Sequence, residues 1–226
     1  MLTRRGLLLG LPAVVAGSAL AAKVEDRTAN AATSQSSTQS SGPIYLTFDD
    51  GPHPTWTPQI MRLLDAYNAR ATFYVLGQWV QHYPWLTRQL ADAGHVVANH
   101  SLSHANLARL SAQGVAHEIW STQNLVENAI GRRPTLFRPP FGAANWTVRN
   151  QAARAGLSLE LWDIDTNDWR LPGARAIADR VTANAYPGAV VLMHDGGGNR
   201  HQTVEALELI LWRLSRRGYT FAAMNG

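Results

Sequence analysis

The 226-residue sequence contains no cysteine. That excludes disulfides, a thiolate metal site and a lipid-modified cysteine anchor, so a secreted form would depend on packing alone. No cluster of lysine and arginine interleaves with aromatic residues, so nothing supports nucleic-acid binding. The one long apolar run, Leu7 to Leu20, is short, is interrupted by Pro12 and ends in small residues, which argues against a membrane-spanning helix. No repeat is evident beyond an alternation of short apolar runs and helical stretches.

The same N-terminal run fits an export signal. Arg4 and Arg5 precede it, and Ala19-Leu20-Ala21 offers a small-x-small cleavage site. Thr3-Arg4-Arg5-Gly6-Leu7-Leu8 is similar to a twin-arginine signal, although Leu9 stands where a lysine is usual; this route is placed ahead of the general secretory one. Residues 22–42 are rich in Ser, Thr, Gln and Ala and read as a disordered linker. Residues 43–226 then form a single folded domain, large enough to bury a core without covalent staples. The formal charge of +4 would fall to about +2 after cleavage, a mild balance.

Within the domain, strands are expected at Ile44–Phe48, Ala71–Leu76, His95–Asn99, Leu136–Arg138, Leu157–Ile164, Ala189–Met193 and Tyr219–Ala223. Helices are expected around 57–67, 84–93, 112–130, 147–155, 174–185 and 201–217. Regular β-then-α alternation predicts an α/β fold, a parallel barrel rather than an open sheet, with its active site at the C-terminal strand ends.

Polar clusters fall at those ends. Thr47-Phe48-Asp49-Asp50-Gly51 closes the first strand. Adjacent strand residues point to opposite faces, so the two carboxylates are not expected to share one core; one can hold a metal and the other move a proton. His100 and His104, four apart after the third strand, are expected on one face of a helical turn. Asp50, His100 and His104 make a three-ligand set that leaves positions open for water; zinc suits it, and cobalt, nickel or manganese fit the same donors. Arg138-Pro139-Pro140-Phe141, Asp165-Thr166-Asn167-Asp168-Trp169 and Leu192-Met193-His194 follow. Each alone reads as a turn, a loop anchor or a core strand end; five in series do not.

The ordered set T-F-D-D-G, H-S-L-S-H, R-P-P-F, D-T-N-D-W and L-M-H resembles the polysaccharide deacetylases, the NodB-homology group of carbohydrate esterases (family 4), over about Pro43 to Met224. The resemblance implies a distorted (β/α) barrel of about seven parallel strands. It implies one divalent metal at Asp50, His100 and His104, with Asp49 as general base and Arg138 orienting it and keeping it ionised. It implies His194 as general acid, held protonated by Asp168, an apolar slot of Trp169 and Leu192 for the acetyl methyl, and the Phe141 N–H on the oxyanion. Many members have tyrosine at the Phe141 position; the group used is a backbone one.

The implied enzyme is a secreted, metal-dependent N-deacetylase of N-acetylglucosamine polymers, chitin-like or peptidoglycan. It would act as a monomer that meets a membrane only during export. An O-deacetylase such as an acetylxylan esterase shares every catalytic residue. An inactive carbohydrate-binding wall protein would need damage at Asp49, the ligands or His194, and none is seen. A non-haem iron oxygenase also uses two histidines and a carboxylate but would not require Arg138, Asp168 and His194. Asp165 is expected to make a structural hydrogen bond. Trp56, Trp79 and Trp146 are candidates for sugar stacking or for packing; Trp120 and Trp212, on helices, are expected in the core.

Overall fold

The computed structural model describes residues 41–225. The expected export signal (1–21) and nearly all of the expected linker (22–42) lie outside the described residues. Gly42, read as linker, is instead the first residue of a strand.

In chain order the domain comprises β1 (Gly42–Asp49), α1 (Thr57–Ala66), β2 (Thr72–Val75), α2 (Gly77–His82), α3 (Pro84–Asp92), β3 (Val96–Asn99), α4 (Ala112–Ile130), β4 (Leu136–Phe137), α5 (Trp146–Arg154), β5 (Ser158–Leu159), β6 (Ile164–Asp165), α6 (Ala174–Asn184), β7 (Val190–His194), α7 (His201–Ser215) and β8 (Tyr219–Phe221). Short 3-10 turns lie at Leu107–Arg109, Pro140–Gly142 and Asp168–Arg170.

Every strand pairing is parallel, and seven strands follow the order β5-β4-β3-β2-β1-β7-β6. The eighth, β8, pairs with the first three residues of β1. β5 and β6 are the two ends of this path, yet only residues 160–163 join them. Five Cα steps reach roughly 18 Å at full extension. The sheet therefore has to curl until its edges nearly meet, which gives a distorted, incompletely closed barrel of the expected class.

Local chemistry explains the boundaries. Ser111 caps α4 by accepting the Gly114 N–H, and Gly131, at φ 73°, ends it in the left-handed region that a residue with a Cβ enters at a cost. One stripe of α4 is buried: Val115, Glu118, Ile119, Thr122, Gln123, Val126 and Ala129, the spacing of a core-facing helix but with polar residues inside it. The main core joins Leu46, Phe48, Phe73, Val75 and Met193 of the central strands to Ile60, Leu64, Leu207 and Leu211 of the flanking helices. Phe48 stacks on Phe73 at 5.1 Å between centroids.

Three expectations change. Leu157–Ile164 is not one strand but β5, a bridging segment and β6, because the chain leaves one sheet edge and joins the other. Helix α2 was not anticipated. Trp212 is about half exposed (52%) under the Arg216 guanidinium, and Trp120 is half-buried beneath Arg133. Neither is core; each lays a broad apolar face under a cation at the surface.

Candidate active site

Strand register builds the site. Asp49, last in β1, lies opposite His194, last in β7, and opposite Tyr74 of β2. Asn99 ends β3 beside Phe137 of β4, so His100 and Arg138 follow next to each other. Asp50 then breaks the strand's alternation with a left-handed backbone (φ 74°). The two carboxylates consequently do not point to opposite faces. Both are buried and both line one cavity of about 430 Å³ at the C-terminal strand ends.

The approach of β1 and β7 depends on glycine. A Cβ on Gly196 would fall on the Asp50 carbonyl, and one on Gly51 would fall on the Asp195 carboxylate. The Asp195 carboxyl is fully buried. Burial, with the Asp50 and Asp49 charges added, pushes it up to about 7 against the Thr57 hydroxyl that bonds it.

Asp50, His100 and His104 converge. Asp50 Oδ1 is 3.5 Å from His100 Nε2 and 3.2 Å from His104 Nε2, and one donor atom from each residue lies within 4.8 Å of the others. Ligands about 2.1 Å from a tetrahedral ion stand roughly 3.4 Å apart, so the spacing suits a shared cation. Asp50 Oδ1 is buried and has no hydrogen-bond partner, which an ion would supply. The other ring nitrogen of His100 bonds the Arg138 carbonyl at 2.7 Å, which makes Nδ1 the donor and leaves Nε2 its lone pair. The residues therefore fit a divalent metal.

The electrostatics agree. Burial would raise the Asp50 carboxyl, but the closeness of His100, with His194 and His104 beyond it, outweighs burial and holds it well below the usual range. Burial, reinforced by His100 and His194, lowers His104 below its usual value despite Asp50, so its ring is neutral and ready to ligate near pH 7.

The two histidines do not lie on a helical turn, as their spacing suggested. Ser101 (φ 75°) and His104 (φ 64°) fold the segment into a loop, pinned by the Asn99 side chain and by Glu118 of α4.

Asp49 faces the same cavity. Its Oδ1 accepts from Arg138 Nη1 at 2.7 Å, a single rather than bidentate contact. Arg138 is fully buried. Nη1 also donates to Thr47 Oγ1 and Nη2 to the Leu161 carbonyl, and the guanidinium lies 4.0 Å from the centre of the Tyr74 ring. The carboxylate orientation is thus fixed by a group that is itself immobile.

His194 Nδ1 is 2.6 Å from Asp168 Oδ1, while Asp168 Oδ2 accepts from the His194 backbone N–H and the Thr203 hydroxyl. Burial would lower His194, but the bond to Asp168 and its charge outweigh this and push His194 up to about 9. Asp168 is correspondingly held below its usual value despite its burial.

Leu192, Trp169 and Phe141 line the cavity. Phe141 is in the left-handed region, and its ring stands edge-on to His104 at 4.6 Å. Asp165 also lines it, and its side chain accepts the Asn167 N–H at 2.8 Å, the structural bond expected. Trp162 and Arg200 line it too, and neither was anticipated. Trp162 sat inside the apolar run read as strand, and Arg200 follows three glycines that read as loop. Trp56, Trp79 and Trp146 do not line it: Trp56 Nε1 donates to the Gly198 carbonyl, Trp79 packs on His82 and Tyr83, and Trp146 is exposed.

Residues 36–159 match the family model described as polysaccharide deacetylase. The chain is 41% identical over 184 residues to a peptidoglycan-N-acetylglucosamine deacetylase of Bacillus cereus, covering 80% of this chain and 86% of that one. It is 35% identical to a chitooligosaccharide deacetylase of Azorhizobium caulinodans, covering 80% and 92%. Among solved structures, a family 4 carbohydrate esterase from Streptomyces lividans in complex with acetate superposes with a TM-score of 0.76 at 36% identity, over 80% of this chain and 92% of that one.

Proposed function

The chain belongs to the polysaccharide deacetylase family, carbohydrate esterase family 4, and from that premise we propose that it is an exported, metal-dependent enzyme that hydrolyses the acetamide of N-acetylglucosamine residues in peptidoglycan or chitin-like oligosaccharides. The observation that carries the reading is the convergence of Asp50, His100 and His104 between a braced carboxylate, Asp49, and a histidine held protonated, His194. The relatives that deacetylate peptidoglycan and chitooligosaccharides support the substrate class.

Asp50, His100 and His104 would hold the ion, zinc by the chemistry of the donors. Such an ion supplies Lewis acidity, making water more acidic and an acyl carbonyl more electrophilic. The chain's own groups do the rest. Asp49 takes the proton from the attacking water, its other oxygen kept in place by Arg138. His194, protonated below about pH 9, gives its proton to the departing nitrogen, which leaves poorly as an anion. Leu192, Trp169 and Trp162 offer an apolar wall to the acetyl methyl, and the Phe141 N–H supports charge developing on oxygen. Residues 43–226 constitute the catalytic domain, delivered by the twin-arginine-like signal of residues 1–21.

Mass spectrometry of products from chitooligosaccharides, peptidoglycan fragments and acetylated xylan tests the reading. Free amines on the first two, with zinc-dependent turnover, are expected. Turnover of acetylated xylan alone would make it an O-deacetylase, and turnover undiminished by complete metal removal would overturn the metal assignment.

A further inference from the structure

Helix α4 carries an unusual feature: a carboxylate on its core-facing stripe. Glu118 is buried, and no ion pair among the described residues includes it. A buried carboxylate without a cation is expensive unless its oxygens are bonded. Here both are. Oε2 accepts the Leu102 N–H and the Ser103 N–H, each at 2.9 Å, and Oε1 accepts the Ser103 hydroxyl at 2.6 Å.

All three donors lie between the two histidines of the candidate metal set. That segment holds two non-glycine residues, Ser101 and His104, in the left-handed region, which persists only where the surroundings over-determine it. The other restraints act on its first two residues: Asn99 Oδ1 accepts the Ser101 N–H, and Gly77 and Gln78 donate to the Ser101 and Leu102 carbonyls. Towards His104 there is only a 3.2 Å bond from its N–H to Ser101 Oγ.

The histidines differ in how they are held. The His100 ring is anchored by its second nitrogen on the Arg138 carbonyl. The His104 ring has no such hydrogen bond among the described residues, and it is the more exposed of the two. Its direction is therefore set by its backbone together with the edge contact of the Phe141 ring, and its backbone by the clamp on Leu102 and Ser103.

We infer that Glu118 is a positioning residue for metal binding, acting through the 101–104 loop to hold His104 on the ion shared with Asp50. The inference rests on the metal reading given above. Asn99 and Gln123 assist from the same face, the Asn99 amide donating to Gln123 Oε1 and to the Ile119 carbonyl of α4.

Zinc dissociation constants, measured by competition with a chromophoric chelator, test it without recourse to turnover. The proteins are wild type, Glu118→Ala, Glu118→Gln, His104→Ala and the Glu118→Ala/His104→Ala pair. Glu118→Ala should weaken zinc binding by about 10–100-fold, the range found when groups that orient metal ligands are removed. Glu118→Gln should lose less, because its amide oxygen still accepts one N–H. In the His104→Ala background, adding Glu118→Ala should change affinity by less than about 3-fold, because the ligand through which it acts is gone. An equal loss with and without His104 would make Glu118 a general support of the fold and overturn the inference, as would wild-type affinity in Glu118→Ala. Should Glu118→Ala fail to fold, the same comparison is made with Glu118→Gln. A wild type that binds no zinc would overturn the metal reading itself, a result separable from every outcome above.

Discussion

Asp168→Asn removes one charge and keeps the shape. In the folded protein His194 sits at about 9 instead of its ordinary 6.5. The displacement of about 2.5 units corresponds to about 3 kcal/mol of preference for the protonated ring. Burial opposes it, so with the charge gone the ring should titrate at or below 6.5. At pH 8 a group at 9 is about 90% protonated and one at 6.5 about 3%, so loss of the acid form alone predicts about a 30-fold fall in kcat on an acetamide substrate. At pH 6 both enzymes carry the proton for much of the time, and the gap should shrink to a few-fold at equal zinc occupancy. With an aryl acetate, whose leaving group departs unaided, the pH 8 loss should be much smaller. Profiles of kcat against pH for both substrates are the assay. An alkaline limb that stays near 9 in Asp168→Asn, or an equal loss on amide and aryl ester, would refute the assignment of His194 as leaving-group acid. The same pair also stabilises the fold. Because the histidine is raised, its contribution is fully present below about pH 6.5 and lost as pH rises through about 9, so wild type should lose Tm across that window and Asp168→Asn should not.

Asp49→Asn should lower kcat by about 10²–10⁴-fold with zinc still bound, checked by metal analysis beside turnover; parallel loss of metal would move Asp49 into the ligand set. Asp50→Asn should abolish stoichiometric zinc binding in equilibrium dialysis, since its Oδ1 is the point on which both imidazoles converge. Gly196→Ala should destabilise by about 1–3 kcal/mol in denaturant titrations, because the added methyl meets the rigid Asp50 backbone rather than a side chain that can swing away. Replacing Arg4 and Arg5 together with lysine should block export if the twin-arginine route is used, read as loss of secreted protein; undiminished secretion would assign the general route.

Much of this fold was legible because its signals are local. Ser111 and Gly131 bracket α4 at the expected residues, and alternating apolar runs with caps placed β1, β2, β3 and β7 within a residue or two. What was not legible depends on partners distant in sequence. Leu157–Ile164 looks like one strand because apolar periodicity cannot show that Glu160 bonds Phe137 while Asp163 bonds Val190, on opposite edges of the curled sheet. Trp162 was overlooked for the same reason, since only that crossing turns it to the cavity. Helix α2 opens on Gly77, without a side-chain cap, and is one and a half turns long; its start is set by Gly77 and Gln78 donating to the Ser101 and Leu102 carbonyls. Glu118 left one trace in the sequence, a charged residue at a core position of an otherwise amphipathic helix, and that trace has meaning only once the donors it accepts from are known.

The site's residue identities were readable, but its handedness was not. Asp50, Ser101, His104, Phe141 and Asn167 all adopt positive φ, and all follow strands that end at the cavity. Glycine would adopt those angles with less strain, so a requirement beyond backbone conformation has to keep a side chain there. At Asp50 and His104 it is the candidate ligand atoms. At Ser101 it is the hydroxyl that accepts the His104 N–H. At Phe141 no hydrogen bond or burial of the ring explains it, and the ring's edge contact with His104 is the one structural use observed. The strain is held locally by Glu118, Asn99 and Arg138, side chains whose hydrogen bonds end on these loops or beside them. Catalytic geometry in this barrel is therefore a property of the braces as much as of the five motifs. Substitutions that leave every motif intact but unfasten a brace should impair the site while sparing the core.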